Sequence, residues 1–221
     1  YLCTPHHYVI ALDATTGQER WRFDPEIGEL EGLQHRTCRG VAYSQSADPD
    51  AAGSCPRRIF LPTADARLIA LNADTGEVCP RFGGNGIVDL WKNMPHIQEG
   101  FYYSTSPPAV TAGLVIVGGA VNDNVSTTEP SGVIRAYDID TGDLMWAWDA
   151  GNPHRTEPLP PGQTYSENSP NSWSIFSVDE TLGMVYVPMG NQPPDQWGGN
   201  RDKSVERFAS AIVALDIATG R

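Results

Sequence analysis

A few side chains in polar segments of the sequence have the chemistry of a binding site. Asp123 and Asn124 are adjacent, and their carboxylate and amide oxygens suit Ca²⁺ or Mg²⁺, although the same pair is common in turns. His35 and Arg39 lie four positions apart in a segment without a clear helix or strand pattern, where a single histidine is usually solvated. Trp173 offers a flat surface to a ligand, but a tryptophan of this kind also serves to dock one sheet on the next.

An internal repeat predicts the elements that position these side chains. The pattern A-[LY]-[DN]-x-x-T-G occurs at 11–17, 70–76, 136–142 and 214–220. An alternating apolar segment precedes each copy, at 8–12, 67–71, 133–137 and 211–215. Each copy therefore predicts a hairpin in which the Asp or Asn side chain caps the turn and Gly closes it with a positive φ.

Further strands are expected upstream of three hairpins, at 58–62, 114–118 and 184–188. Two hairpins carry a tryptophan four residues after the glycine, Trp21 and Trp146, which we interpret as docking residues. About four strands per repeat is typical of a propeller blade. The sequence thus predicts an all-β fold, a partial β-propeller of four-stranded antiparallel blades, as one domain over 1–221 with repeats ending near 17, 76, 142 and 220.

Polar inserts lengthen the repeats at 25–39, 83–105, 151–170 and 191–207. Long loops on a rigid scaffold are where binding groups concentrate. The weak helical pattern at 202–209 falls in one of them. His6, His7, His96 and His154 match no site pattern and are expected on the surface.

Composition excludes some function classes. The net charge of −12 argues against a nucleic-acid partner, which requires a basic footprint, and no apolar run has the ~18 residues of a membrane span. The four cysteines, Cys3, Cys38, Cys55 and Cys79, fit either disulfides or small buried thiols. Because the sequence opens at Tyr1 without a starter methionine or a basic leader, we expect a piece of a longer protein.

Segments between the repeats carry a family resemblance. These are Gln34–Val41, Cys55–Arg58, Thr105–Pro108, Asn168–Trp173 and Trp197–Arg201. Together with the D-x-x-T-G-x-x-x-W repeat, they resemble the membrane-bound glucose dehydrogenase branch of the pyrroloquinoline-quinone (PQQ) dependent dehydrogenases, which includes quinate/shikimate and polyol dehydrogenases. The resemblance runs along the whole chain and covers roughly the first half of an eight-bladed catalytic domain, about four blades.

The resemblance implies a function. It implies oxidation of a sugar, glucose to gluconolactone, with PQQ as cofactor, Ca²⁺ or Mg²⁺ as metal and ubiquinone as the electron acceptor. It also implies a periplasmic location at the bacterial inner membrane, through an N-terminal anchor, and contact with the remaining blades. A quinate/shikimate or polyol dehydrogenase, and a non-catalytic propeller scaffold, are the alternatives.

The resemblance also assigns residues. Trp173 matches the tryptophan below the quinone ring, His35 the histidine on its opposite face, and Arg39 a cofactor-contacting arginine. Asp123 and Asn124 match a proposed metal-binding pair, and Asn191 resembles a metal ligand of the broader PQQ alcohol dehydrogenases. Pro193 stands where a threonine has been implicated in at least one sugar-oxidising relative, which puts ligation by Asn191 in doubt.

No catalytic residue is assigned. The family uses an aspartate as general base on the substrate hydroxyl, and it is expected beyond residue 221, with a lysine further on. Since removal of the hydroxyl proton needs a positioned base, we expect the isolated chain to have no meaningful turnover.

Overall fold

Four of the five antiparallel sheets formed by the described residues follow one another along the chain. The computed structural model describes residues 1–46, 53, 55–199 and 201–221. Sheet 1 comprises β1 (Leu2–Cys3), β2 (Val9–Leu12) and β3 (Glu19–Phe23). Sheet 2 comprises β4 (Ala42–Gln45), β5 (Arg57–Pro62), β6 (Arg67–Asn72) and β7 (Ile87–Asp89).

The second half of the chain repeats this plan. Sheet 3 has β9 (Ala109–Thr111), β10 (Leu114–Val117), β12 (Ile134–Asp138) and β13 (Leu144–Trp148), adjacent in that order. Sheet 4 has β14 (Ser177–Asp179), β15 (Met184–Pro188) and β16 (Ile212–Asp216). A separate pair joins β8 (Tyr102–Tyr103) to β11 (Ala120–Val121). The predicted all-β architecture is confirmed.

The repeated turns have the predicted chemistry. Asp13 Oδ1 accepts hydrogen bonds from the backbone N–H groups of Thr15 and Thr16 at 3.0 and 2.9 Å, and Gly17 has a φ of 72°. The turn after Asp138 repeats both features, with φ of 73° at Gly142. Local side-chain bonds and one glycine per turn therefore end one strand of each hairpin and start the next.

The two repeat tryptophans dock sheets together. The Trp21 indole N–H donates to the Ala73 carbonyl at 3.0 Å, and a Cβ added at Gly76 would lie 2.6 Å from the Trp21 ring. In sheet 3, Trp146 packs in the same way on the turn at Gly220 in sheet 4, where an added Cβ would lie 2.5 Å from the Trp146 ring. Each tryptophan packs on the turn of the following sheet, so its glycine is required for close approach as well as for φ.

The core consists of layers between successive sheets. On β5, Ile59 packs toward Val9 of sheet 1, while the next residue, Phe60, packs toward Val115 of sheet 3. A third layer joins Ile116 of sheet 3 to sheet 4. Because successive residues of a strand point to opposite faces, strands with both faces apolar can be buried between two neighbours.

The structure differs from the sequence predictions in three places. The predicted insert 83–105 contains strands β7 and β8. The predicted helix at 202–209 is a single turn, α1 (Lys203–Glu206), which Asp202 caps by accepting from the Ser204 N–H at 2.7 Å. The surface assignment of His7 is wrong, because its side chain is 1% exposed. The described part of the chain contains no helix with the length and apolarity needed to cross a bilayer.

The four cysteines form two disulfides and are not free buried thiols. Cys3 at the end of β1 is bonded to Cys38 in the segment before β4. Cys55 before β5 is bonded to Cys79 beyond the second repeat turn. The first bond links sheet 1 to the segment that carries His35 and Arg39.

Candidate functional site

Loops that follow or precede several strands meet around a cavity of about 560 Å³. Its lining residues are Gln34, His35, Arg36, Thr37, Arg39, Tyr103, Thr105, Ala120, Val121, Asp123, Trp173 and Asp195. Four of the residues predicted from the sequence are therefore brought together, from segments more than a hundred positions apart. The volume lies in the range of small-molecule sites.

Arg39 is held in place by the segment after β8. Its backbone N–H donates to the Thr105 carbonyl at 2.9 Å, and its Nη1 donates to the Thr105 hydroxyl at 2.6 Å. The guanidinium carbon lies 5.6 Å from the centre of the Trp173 ring, within the range of a cation–π contact. The guanidinium is thus held by the Thr105 hydroxyl and the Trp173 ring, and it has no carboxylate partner among the described residues.

Trp173 is anchored by its backbone rather than by its ring. Its carbonyl accepts from the Thr105 and Ser106 hydroxyls at 2.9 and 2.8 Å. Its side chain is 47% exposed, whereas that of the docking residue Trp146 is 2% exposed. Trp173 therefore does not dock one sheet on the next. Part of its indole surface is available to a ligand in the cavity.

Asp123 is positioned through a reciprocal pair with Gln34. The Asp123 N–H donates to Gln34 Oε1 at 2.8 Å, and Gln34 Nε2 donates to the Asp123 carbonyl at 2.7 Å. These bonds satisfy the backbone of Asp123 and leave its carboxylate without a hydrogen bond or ion pair to any described residue. Gln34 itself directly precedes His35, so one segment carries the imidazole and orients the carboxylate.

A second carboxylate, Asp195, lines the same cavity. Its Oδ1 is buried and has no hydrogen-bond partner among the described residues. Burial, and then the charge of Asp195, raise the pKa of Asp123, and burial raises the pKa of Asp195. Two partly buried carboxylates that accept no hydrogen bond from a described residue form a donor set that suits a hard divalent cation.

Asn124 and Asn191 do not line the cavity. Asn124 Oδ1 accepts from the Gln196 N–H at 2.9 Å, which joins the segment after β11 to the segment before α1. Asn191 Oδ1 accepts from the Ser210 hydroxyl at 2.8 Å. The amide oxygen of each is thus already used in a contact that shapes the loops.

Tyr103, Thr105 and Asp195 are lining residues that sequence analysis did not identify. Tyr103 is 2% exposed, and burial, followed by the charge of Asp123, raises its pKa to about 12, so its hydroxyl stays protonated. Thr105 belongs to the recognised segment Thr105–Pro108, which was the one available signal for it. Asp195 is a single acidic residue in a polar insert, and nothing in its spacing distinguishes it.

The arrangement combines three kinds of group that together suit a planar anionic ring and a metal ion. Trp173 provides a flat surface, Arg39 provides a fixed cation, and the carboxylates of Asp123 and Asp195 provide hard oxygen ligands. His35 is exposed at the rim of the same cavity.

Comparisons with known proteins point to one family. A family profile described as the β-propeller domain of PQQ-dependent glucose, ethanol and alcohol dehydrogenases matches residues 1–221. The quinoprotein glucose dehydrogenase of Escherichia coli (strain K12) is 47% identical over 225 residues, which cover 100% of this chain and 28% of that protein. The quinate/shikimate dehydrogenase (quinone) of Acinetobacter baylyi is 39% identical, with 100% of this chain and 29% of that protein covered.

A solved structure supports the fold. The quinohemoprotein alcohol dehydrogenase from Comamonas testosteroni superposes with a TM-score of 0.68 at 24% identity, covering 98% of this chain and 31% of that chain. The chain thus spans less than a third of the length of each of these three proteins.

Proposed function

The chain belongs to the family of PQQ-dependent glucose, ethanol and alcohol dehydrogenases, as part of their β-propeller domain, and on this premise we propose that it supplies one side of the cofactor site of a sugar-oxidising quinoprotein. The proposed reaction is the oxidation of glucose to gluconolactone, with electrons passed to ubiquinone by the whole protein. A periplasmic location at the inner membrane is part of the same proposal. The observation that carries it is the meeting of His35, Arg39, Asp123 and Trp173 at one cavity.

We propose that PQQ lies between Trp173 and His35. The partly exposed indole and the imidazole would hold the ring of the cofactor from opposite sides, and Arg39 would bind one of its carboxylates. When bound, PQQ supplies a two-electron acceptor for the substrate's hydride. The anchoring of Arg39 by Thr105 keeps the cation in place before the ligand arrives, which lowers the ordering cost of binding.

We propose Ca²⁺ or Mg²⁺ as the metal, held by Asp123 with Asp195. Asn124 stays a candidate ligand through the second lone pair of its amide oxygen, whereas Asn191, whose oxygen accepts from Ser210, lies outside the cavity lining. A cation in this position would act as a Lewis acid beside the quinone carbonyl. Once both carboxylates hold the cation, neither is free to take the substrate's proton, so we still expect the general base outside the 221 residues.

A binding experiment tests the cofactor site. We expect PQQ, with Ca²⁺ present, to bind the 221-residue chain and to quench its tryptophan fluorescence. Trp173→Ala should weaken binding at least about tenfold, a loss of about 1.4 kcal/mol. Trp197→Ala is the matched control, because Trp197 is 51% exposed and does not line the cavity. Equal affinities for the two variants would refute the site.

Activity assays test the expected absence of the general base from this chain and the identity of the substrate. With PQQ, Ca²⁺ or Mg²⁺, glucose and a dye acceptor, we expect no meaningful turnover from the chain alone; turnover at the rate of a complete quinoprotein would contradict the missing base. The alternative substrates, quinate/shikimate and polyols, are distinguished by comparing them with glucose in the whole protein. A non-catalytic scaffold would bind no PQQ in the first experiment, and it would not require partnerless carboxylates beside an anchored arginine.

A further inference from the structure

A second group of metal-binding side chains lies outside the cavity described above. Cys3 ends β1, His7 lies in the turn between β1 and β2, and Cys38 comes from the segment before β4. Their two Sγ atoms and a His7 ring nitrogen all lie within 4.8 Å of one another. This is the one such group of histidine, cysteine and carboxylate side chains within the described ranges.

Packing alone does not account for His7. Its side chain is 1% exposed. Neither ring nitrogen makes a hydrogen bond of normal geometry, although the backbone of Pro62 is close enough to act as a weak hydrogen-bond partner of the ring. A buried polar group without a partner costs roughly 1–3 kcal/mol, a cost that an apolar side chain of similar size would avoid. The residue also adopts a φ of 62°, which is uncommon for residues other than glycine. An imidazole held in this way needs another explanation, and histidine is the commonest metal ligand among the side chains.

The two cysteines are joined in the structure, so the group has two chemical states. A dithiol can reduce the Cys3–Cys38 disulfide: the S–S bond breaks, each sulfur gains a proton, and the dithiol is oxidised to its own disulfide. A divalent cation that then binds displaces both protons and is held by two thiolates and one neutral imidazole.

We propose that Cys3, His7 and Cys38 form a redox-gated Zn²⁺ site, closed as a disulfide and opened by two-electron reduction. Zinc–sulfur and zinc–nitrogen bonds of about 2.3 and 2.0 Å in a tetrahedral site place ligand atoms roughly 3.5–3.8 Å apart. The three ligand atoms already lie within 4.8 Å of one another, so ligation requires the two sulfur atoms to separate and the imidazole nitrogen to settle about 3.5 Å from each. Cys3 and Cys38 are half-buried, which leaves a fourth position for water.

The other disulfide provides an internal control. Cys55 and Cys79 are 4% and 2% exposed, and no third ligand is grouped with them among the described residues. Reduction of both disulfides therefore yields one Cys₂His set and one plain dithiol in the same chain. This inference does not depend on the proposed cofactor site.

Cobalt(II) titration of the anaerobically reduced protein tests the proposal. We expect one equivalent of Co²⁺ to bind with thiolate charge-transfer and tetrahedral ligand-field bands, and Zn²⁺ to displace it. The same spectrum is expected for the Cys55→Ser/Cys79→Ser variant, and none for Cys3→Ser/Cys38→Ser or for the oxidised protein. His7→Phe and His7→Gln should each lower Co²⁺ affinity by about tenfold or more, in line with the loss of metal-site residues elsewhere.

Folding is followed in the same samples by circular dichroism and thermal melting. Zn²⁺ should raise the Tm of the reduced wild-type protein, since a ligand that binds the folded state stabilises it, and should leave that of Cys3→Ser/Cys38→Ser unchanged. The proposal is overturned if the oxidised protein gives the same spectrum, if both His7 variants bind Co²⁺ as tightly as wild type, or if the reduced wild type neither binds Co²⁺ nor gains stability with Zn²⁺.

Discussion

The guanidinium of Arg39 lies over the indole of Trp173, with its central carbon 5.6 Å from the ring centre. Thr105 connects the two residues a second time: its hydroxyl accepts from Arg39 and donates to the Trp173 carbonyl. The proposed cation and the proposed aromatic surface of the cofactor site therefore share one hydroxyl. A disturbance of Thr105 should affect both.

Thr105→Val removes this hydroxyl with little change in shape. We expect PQQ affinity to fall about tenfold and the free energy of unfolding to fall by roughly 1–3 kcal/mol, because two part-buried hydrogen bonds are lost and one of them joins a charged group. Thr111→Val is the control: the Thr111 side chain is buried and donates to Glu180 at 2.8 Å, away from the cavity. Urea unfolding and fluorescence titration of both variants should show similar destabilisation but a loss of PQQ affinity only for Thr105→Val.

The Cys3–Cys38 disulfide should also matter to the cavity, because Cys38 directly precedes Arg39. We expect Cys3→Ser/Cys38→Ser to weaken PQQ binding, since the segment carrying His35 and Arg39 loses its link to sheet 1. Loss of a native disulfide typically costs 2–5 kcal/mol of stability. Cys55→Ser/Cys79→Ser should lose comparable stability and leave the PQQ dissociation constant unchanged. If the two double variants changed that constant equally, the Cys3–Cys38 disulfide would have no specific role in positioning the cavity segment.

Metal binding distinguishes the two carboxylates that line the cavity from Asn191, which sequence analysis also predicted as a ligand. We expect Asp123→Asn and Asp195→Asn each to lower Ca²⁺ affinity by about 10–100-fold, with the metal removable by chelator. Asn191→Ala should leave Ca²⁺ affinity within about twofold of wild type, because its amide oxygen accepts from Ser210 outside the cavity. Calorimetric titration measures all three, and a large effect of Asn191→Ala would restore the ligand role that sequence analysis gave it.

The docking of Trp21 on Gly76 can be separated from the backbone requirement of the turn. Gly76→Ala places a Cβ 2.6 Å from the Trp21 ring at a φ of 76°. Gly17→Ala meets the same backbone strain at a φ of 72° with no atom within 4 Å of the added Cβ. We expect thermal unfolding to show about 1–2 kcal/mol of destabilisation for Gly17→Ala, from backbone strain alone. Gly76→Ala should lose about 1–3 kcal/mol more, because the added Cβ overpacks against the Trp21 ring. Equal losses would mean that the tryptophan moves aside freely.

These comparisons show what a sequence can predict for this fold. The turns at Gly17, Gly76, Gly142 and Gly220 were predictable because each depends on residues within one short repeat. The docking of Trp146 was also predictable, since the repeat brings the same partner to each interface. Local pattern and family resemblance together sufficed for the architecture.

The details of the cavity depend on contacts between distant loops. The burial of the Asp195 carboxylate is decided by the packing of the segment before α1, which has no periodic pattern. The pairing of the cysteines is likewise a matter of tertiary structure, because four cysteines allow three connectivities. His7 was assigned to the surface because it matched no site pattern, whereas in the structure it is buried beside the Cys3–Cys38 disulfide.

Glu129 provides a test by pH. Its side chain is fully buried at 0% exposure, Oε1 accepts from the Ser126 hydroxyl at 2.8 Å, and Oε2 has no partner. Burial raises the pKa of Glu129 above its usual value. The folded state therefore holds this proton more tightly than the unfolded state, so the contribution to stability is complete below the unfolded pKa and is lost as the pH rises through the folded pKa.

Glu129→Gln should remove that dependence. We expect the variant to gain stability relative to wild type between about pH 4 and neutral pH, by about 1.4 kcal/mol for each unit by which the pKa is raised, as measured by urea unfolding across the range. Glu19→Gln is a control in which the effect has the opposite sign, because Arg22 lowers the pKa of Glu19. Wild type should therefore be more stable than this variant at neutral pH, and the difference in stability should vanish as the pH falls. Parallel stability curves for wild type and Glu129→Gln would mean that the buried carboxylate is neutralised by a partner within the folded protein, such as a bound cation, rather than by a proton.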